Sequence, residues 1–376
     1  MMIEIKGVGT KNKGAHLLLL AILHEFAKRG MKADFCAAPG FGMNAIAASQ
    51  HGMQLKAGLK SKKNSWKSIL QLLTKKRRGN QGSIKDHEID LVLDASGFAY
   101  GDFWGHMKPL QRMDNVINGK VRPDVKTILL PQALGPFNDA YVRSAFQKVV
   151  NKVDLIFARD EQSLDHLTNH FEDKSKFLLG PDFTNLLEVE GKEEYPEGNI
   201  AIIPNYKMNG EGYENYLGFL KNSIAYLIKK KKKRPYFLIH EGVQDRAIAV
   251  KLNQDLQINL PIIMEENPLD IKRRIKSCEL VIVSRFHGLV SALCQGIPVV
   301  STSWSHKYRM LLKDYKQEES LFDINNYKMG DLEKLIEARL GVSKAEYYHQ
   351  QKDIILTQKE RATLMWDKVF ELIHAK

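Results

Sequence analysis

Short apolar runs rich in valine, isoleucine and leucine recur along this chain, separated by stretches with helical spacing of apolar residues. The runs at 3–5, 89–93, 126–130, 155–158, 200–203, 236–240 and 280–283 predict strands, and the most β-branched of them predict burial on both faces of a parallel sheet. Weaker strands are expected at 32–36, 177–179, 261–263 and 297–301. Helices are expected at 15–29, where Leu18, Leu19, Ile22, Leu23 and Phe26 share a face, and at 140–150, 163–170, 213–231, 244–255, 268–277 and 289–295. Further helices are expected near 310–312, at 330–340 and at 344–375. This strand–helix rhythm runs twice, on either side of a polar, acidic stretch at 188–199. The expected fold class is α/β, with two Rossmann-like doubly wound domains facing across a cleft. The expected boundaries are 1–187 for the first domain, 188–199 for the linker, 200–345 for the second domain and 346–376 for a C-terminal helix packing across both. A length of 376 residues agrees, being more than one core usually supports.

Polar residues gather where the predicted strands end, which is where open α/β sheets bind ligands. The run at 280–283 leads into Ser284, Arg285, Phe286, His287 and Gly288, then into a helix whose N-terminus favours anions. Arg159 and Asp160 follow the strand at 155–158, and Gln132 lies in the loop Pro131–Phe137, stiffened by two prolines. Asp94 closes the strand at 89–94 beside Ala95, Ser96 and Gly97, and either faces a ligand or ties down its own loop. The glycine-rich loop 8–14 suits close approach of a ligand or is simply a tight turn, and it lacks the GxGxxG dinucleotide pattern. Arg159, Arg285, His287, His306, Lys307 and Arg309 make a cleft suited to a small ligand with several negative charges. His287 has the titration range of a general acid or base; for His306 a structural role competes evenly.

Composition adds constraints. Hydrophobic residues are 44% and charged residues 27%, as in ordinary globular proteins, and no run approaches a membrane-spanning length. The first residues enter a strand directly, without an apolar signal core. Cys36, Cys278 and Cys294 are few, distant and set in apolar contexts, so buried thiols and a cytoplasmic location are expected. The formal charge of +12 is concentrated at 60–63, 75–78 and 229–234. Those clusters fit either a solvated surface or attraction to the anionic inner face of a cell membrane, a peripheral association. The segment 55–87 is a basic excursion, either mobile or amphipathic and membrane-facing. Nucleic acid is not expected as a partner, because no aromatics interleave the basic clusters. No metal-ligand spacing, nucleophile elbow or Walker loop is present, leaving a metal-free transferase or a binding protein.

An ordered set of short motifs goes further. Asn12 with Gly14-Ala15, Pro131-Gln132 with Gly135-Pro136-Phe137, Arg159-Asp160 with Ser163, Pro181-Asp182, Ser284 to Gly288, and Pro298 with His306-Lys307-Tyr308 together resemble the polysaccharide pyruvyl transferase family. The resemblance covers about residues 8–308; the set is specific although each motif alone is weak. It implies a GT-B-like fold and transfer of a pyruvyl group from phosphoenolpyruvate to a sugar of a polysaccharide or its lipid-linked precursor, as a cyclic ketal. Phosphoenolpyruvate enters as substrate, and neither cofactor, nucleotide nor metal is implied. Carried onto this chain, donor binding falls on Arg285, Arg159, Lys307, Gly288, Ser284 and His306, and acid–base work on His287. Asp94 is the acceptor-side base expected from the strand-end reading, and Asn12, Gly14, Ser96, Gln132 and Asp160 are expected on the acceptor or cleft side. Relatives often carry a glycine run where this chain has Ala95-Ser96-Gly97, which bears on the acceptor more than the donor. Two rival readings are a GT-B glycosyltransferase using a nucleotide sugar and a non-catalytic, membrane-associated partner in glycan assembly.

Overall fold

Residues 1–56, 84–190, 195, 199–208, 210 and 214–375 are described by a computed structural model. The expected excursion at 55–87 and linker at 188–199 lie partly outside them. Strands β1 (Met2–Lys6), β2 (Asp34–Ala37), β3 (Met53–Leu55), β4 (Leu91–Asp94), β5 (Lys126–Gln132), β6 (Leu155–Ala158) and β7 (Phe177–Leu179) form one sheet in the order β3-β2-β1-β4-β5-β6-β7. Strands β8 (Ile200–Ile203), β9 (Tyr236–Ile239), β10 (Ile262–Met264), β11 (Leu280–Val283) and β12 (Val299–Ser301) form a second, ordered β10-β9-β8-β11-β12. Every named pairing is parallel. Apolar runs without alternation become central strands because helices cover both faces of each sheet, leaving no wet side to demand polar residues.

The first domain's core is split by its sheet. Leu17, Leu18, Leu19, Ile22 and Phe26 of the helix Lys13–Lys28 pack on one face; Val142, Phe146 and Val149 of Ala140–Val150 pack on the other. The second domain repeats this with Phe219, Leu220 and Ile224 on one face and Ile271, Leu289 and Val290 on the other. Cys36, Cys278 and Cys294 are buried free thiols, as their apolar contexts predict. Among the described residues no helix is long and apolar enough to cross a membrane. Within the basic run 229–234, Lys231 and Lys233 pair with Glu337 and Glu279, and Arg234 bonds the Asn259 carbonyl. Lys229, Lys230 and Lys232 remain exposed.

Both sheets have a switch point, where strand order reverses and the loops at the carboxyl ends diverge. In the first it lies between β1 and β4, whose ends Lys6 and Asp94 are register partners. In the second it lies between β8 and β11, where Ile203 pairs with Val283. The loops after β1, β4, β8 and β11 therefore open a crevice in each domain.

The final helix, Lys344–His374, joins the halves. Its Ile355 enters the core of the second domain, while Ala362, Met365, Trp366, Val369 and Phe370 complete that of the first. Two helices differ from expectation. The one after β11 begins at Phe286 rather than 289, since the chain turns immediately beyond Arg285, its N-cap. The one near 310–312 extends over His306–Asp314, because Ser305 already has the extended cap conformation.

Trp366 is fully buried, its ring 5.4 Å from that of Phe183 and 6.2 Å from that of Phe26. Trp366→Ala should therefore cost about 3–5 kcal/mol of unfolding free energy. Urea denaturation followed by circular dichroism measures it, and a loss below about 1 kcal/mol would show that the helix is not integral to the first domain.

Candidate functional site in the interdomain cleft

Arg159 stands directly beyond β6, and its side chain is buried. Its Nη1 donates to Asp182 Oδ2 at 3.4 Å, but its Nε and Nη2 have no acceptor. Its guanidinium carbon lies 4.1 Å from the ring centre of Phe286, which belongs to the other domain. Gly97 lies in the β4 loop beside Arg159 with φ of +70°, a left-handed conformation that favours glycine.

Asp182 follows β7 and is held by Thr184, whose N–H and hydroxyl both donate to Oδ1. Its Oδ2 faces Arg159 and, at 3.5 Å, His287 Nε2. Burial alone would raise this carboxyl, but His287, Arg159 and the Thr184 bonds outweigh it and hold it below the usual range. His287 lies in the first turn of the helix Phe286–Leu293. Its imidazole rests against the backbone of Gly14, where any Cβ would overlap the ring. Burial pushes it down to about 4, opposed by Asp182 and reinforced by Arg159, Lys307 and Lys272. His287 is thus neutral near pH 7.

Lys307 is buried in the helix His306–Asp314, with Nζ 4.6, 4.8 and 5.1 Å from the ring centres of Trp304, Phe98 and Phe286. No carboxylate pairs with it among the described residues. Burial and the positive field of Arg159, Lys207 and Arg285 drive it well below its ordinary value. His306 Nε2 and Asp160 Oδ2 lack hydrogen-bond partners and sit 4.0 Å apart across the cleft. Asp160 Oδ1 is occupied, capping the helix Glu161–His170 through the Ser163 N–H. Asn12 caps its own helix through Oδ1 and donates from Nδ2 to Glu241 of the second domain at 2.9 Å.

The structure thus brings together Arg159, His287, Lys307, His306, Asp160, Asn12 and Gly14. Other sequence expectations need correction. Asp94 is fully buried; Ser96 N–H and Oγ donate to its Oδ1 and the Tyr100 hydroxyl to its Oδ2, so it fastens its loop and is no exposed base. Ser96 is its partner in that fastening, and Gln132 Nε2 bonds the Asp94 carbonyl from a buried position. Ser284 is structural: its hydroxyl receives bonds from Tyr216 and Thr302, and its carbonyl from Asn205 and Tyr308. Gly288 serves packing, since a Cβ would press within 3.1 Å of Val283 and 3.3 Å of Ile203. Arg285 is already neutralised by Asp245, which grips Nε and Nη2, and by Glu241 at Nη1. It is not a free donor clamp.

Residues not expected in the site include Asp182, Lys272, His166, His240, Glu241 and Phe286. His240 follows β9, buried, with Nε2 unpaired and its pKa far below the usual value through burial, with Arg285, His287 and Lys13 adding to the drop. Its position after an apolar run was a usable signal, as was that of Asp182. Lys272 offered none: it is a helix residue whose Nζ reaches the Thr184 carbonyl across the domain boundary at 2.8 Å. Behind Arg159, a cavity of about 10 Å³ lined by Asp182, Asn185, Asp314 and Gln358 has room for about one water. Among the described residues no three His, Cys, Asp or Glu side chains converge as a metal site.

The depressed His287 makes stability pH-dependent. Between 6.5 and about 4 the unfolded chain binds a proton there that the native protein refuses, so stability falls as pH falls through that window. Asp314, raised to about 6 chiefly by burial, acts in the opposite direction. Comparing His287→Asn with the parent isolates the histidine: the drop in unfolding free energy from pH 7 to pH 4 should shrink by about 2–3 kcal/mol. Identical pH profiles for the two proteins would contradict this burial.

Several solved structures share this architecture. A putative UDP-N-acetylglucosamine 2-epimerase from Listeria monocytogenes aligns with TM-score 0.62 and 11% identity over 100% of this chain and 97% of its own. The UDP-GlcNAc 2-epimerase of Neisseria meningitidis aligns with TM-score 0.60 and 12% identity over 99% and 100%. A point mutant of S. aureus TarM, bound to UDP among other ligands, gives 0.58 and 11% over 100% and 99%. At such identities the likeness shows the GT-B fold alone. No curated protein matches the sequence. The profile of one family does, over residues 12–306, the span that holds Asn12, Arg159, Asp182, His287 and His306. By that match the chain belongs to the polysaccharide pyruvyl transferase family.

Proposed function

We propose that this protein transfers the enolpyruvyl carbons of phosphoenolpyruvate to two hydroxyls of a sugar in a polysaccharide or its lipid-linked precursor, forming a pyruvate ketal. The observation that carries the reading is the pair of buried cations with unused capacity, Arg159 with two nitrogens that have no acceptor and Lys307 with no paired carboxylate among the described residues. Phosphoenolpyruvate carries a phosphate and a carboxylate, and a guanidinium fork beside an ammonium suits both. Arg285 joins the clamp if Glu241 yields its place. Asn12 then retains Glu241 through the bond that already crosses the cleft.

In this mechanism the bound anion reverses the field around His287, raising its proton affinity. The imidazolium gives a proton to the terminal methylene, which becomes the methyl group, and C2 develops positive character. One sugar hydroxyl adds to C2 and loses its proton; the C2–O bond to phosphate breaks; the second hydroxyl adds, and its proton leaves with the phosphate. Asp182, at 3.5 Å, holds the imidazolium. Asp160, a cleft carboxylate whose Oδ2 has no hydrogen-bond partner and lies 4.0 Å from His306 Nε2, takes the base role first expected of Asp94.

Three measurements test the reading. Phosphoenolpyruvate should raise the melting temperature, and Arg159→Ala or Lys307→Ala should weaken its affinity at least ~10-fold, as expected for a lost charge-assisted contact, and so reduce that rise. Calorimetry in two buffers of different ionisation enthalpy should show net proton uptake, since His287, neutral near pH 7, gains proton affinity when the anion binds. With an accepted glycan, phosphate release should match ketal formation one to one. Stabilisation by UDP- or GDP-sugars in place of phosphoenolpyruvate would instead favour a nucleotide-sugar glycosyltransferase.

A further inference from the structure

The cleft mouth beyond Lys307 is walled by aromatic rings from both domains. Phe98, Phe103 and Trp104 come from the loop after β4, and Trp304 from the loop after β12. The Phe103 ring centre lies 4.9 Å from that of Trp104, 5.6 Å from Trp304 and 6.1 Å from Phe98. Phe98 in turn lies 6.0 Å from Trp304 and 6.1 Å from His306. The wall is therefore continuous with the cationic site, and Lys307 touches two of its rings. At its outer end Phe103 is 61% exposed, an apolar face in water with nothing covering it.

Two donors belong to the same wall. Lys207, just beyond β8, places its ammonium 4.4 Å from the Trp304 ring centre, 5.2 Å from Trp104 and 5.5 Å from Phe103. No described carboxylate pairs with it, and burial, helped by Arg285, lowers its pKa. The Trp104 indole N–H is buried with no acceptor. Flat apolar faces beside unused N–H donors match a pyranose: its C–H face stacks on a ring while its hydroxyls accept hydrogen bonds at the edge.

We propose that this wall is the acceptor subsite, with a sugar ring stacked on Phe103 and Trp304 and its hydroxyls held by Lys207 and the Trp104 N–H. This rests on the pyruvyl-transfer reading, since it assigns that reaction's acceptor half. Sugar stacked there lies beside the cations that take the donor. The subsite exists only when the domains face each other, because each contributes rings.

Trp104 and Trp304 report the site by their own fluorescence. Methyl glycosides of glucose, galactose, mannose, N-acetylglucosamine and N-acetylmannosamine are titrated into the parent, Phe103→Ala and Phe103→Trp proteins, and melting with phosphoenolpyruvate is measured in parallel. At least one glycoside should change the parent's fluorescence saturably. Phe103→Ala should weaken that binding ~10-fold or more and Phe103→Trp restore it, while stabilisation by phosphoenolpyruvate stays at the parent's level. The subsite is overturned if no glycoside perturbs the fluorescence, if Phe103→Ala binds as the parent does, or if UDP or GDP quenches in their place. Glycoside binding that depends on Phe103, in a protein phosphoenolpyruvate does not stabilise, would uphold the subsite and sink the donor assignment.

Discussion

Arg159 is a guanidinium taken out of water with only part of its hydrogen-bonding capacity met. Its one described bond runs to Asp182, its face lies on Phe286, and two of its nitrogens have no acceptor. Unpaired donors on a buried charge cost on the order of 1–3 kcal/mol or more, so the surrounding structure must hold the side chain in place. Asp182 is fixed by Thr184, and Phe286 arrives from the opposite domain on the first turn of its helix. An acceptor supplied to those nitrogens would remove that cost. The arrangement depends on domain apposition, because residues of both domains wall it.

The rest of the cleft follows from that apposition. Asn12 reaches Glu241, Lys272 reaches the Thr184 carbonyl, Lys313 pairs with Glu161, and Gly14 presses its backbone on the His287 ring. These links bring two switch points face to face and place Lys307, Arg159 and His287 in one desolvated volume. Burial in that volume, with repulsion among the cations packed there adding to it, is why Lys307 and His287 both hold protons weakly. Arg285 shows the contrasting arrangement: Asp245 and Glu241 satisfy it, and its proton is held more tightly than usual.

Hydrophobic pattern made most of the architecture legible. Four-residue runs such as Leu280–Val283 become central strands because parallel sheets bury both faces, and polar residues at their ends mark the ligand edge whatever the chemistry. Arg159, His287 and Lys307 were found in this way. The position of a residue beyond a strand does not say which way its side chain turns. Asp94 and Arg159 occupy equivalent places, yet one bonds inward to Ser96 and Tyr100 and the other reaches the cleft.

What the sequence by itself determined is therefore the layer structure, the doubly wound domains and the chemical character of the cleft, because each follows from local periodicity and residue type. Tertiary structure alone decided which charges are free. Arg285 lost its freedom to Asp245, forty residues away in the chain, while Asp182 became the bridge between Arg159 and His287. Only the apposed domains gather Phe98, Phe103, Trp104, Trp304 and Lys207 into one wall. Pairing and desolvation are set by neighbours distant in sequence, and no local pattern encodes them.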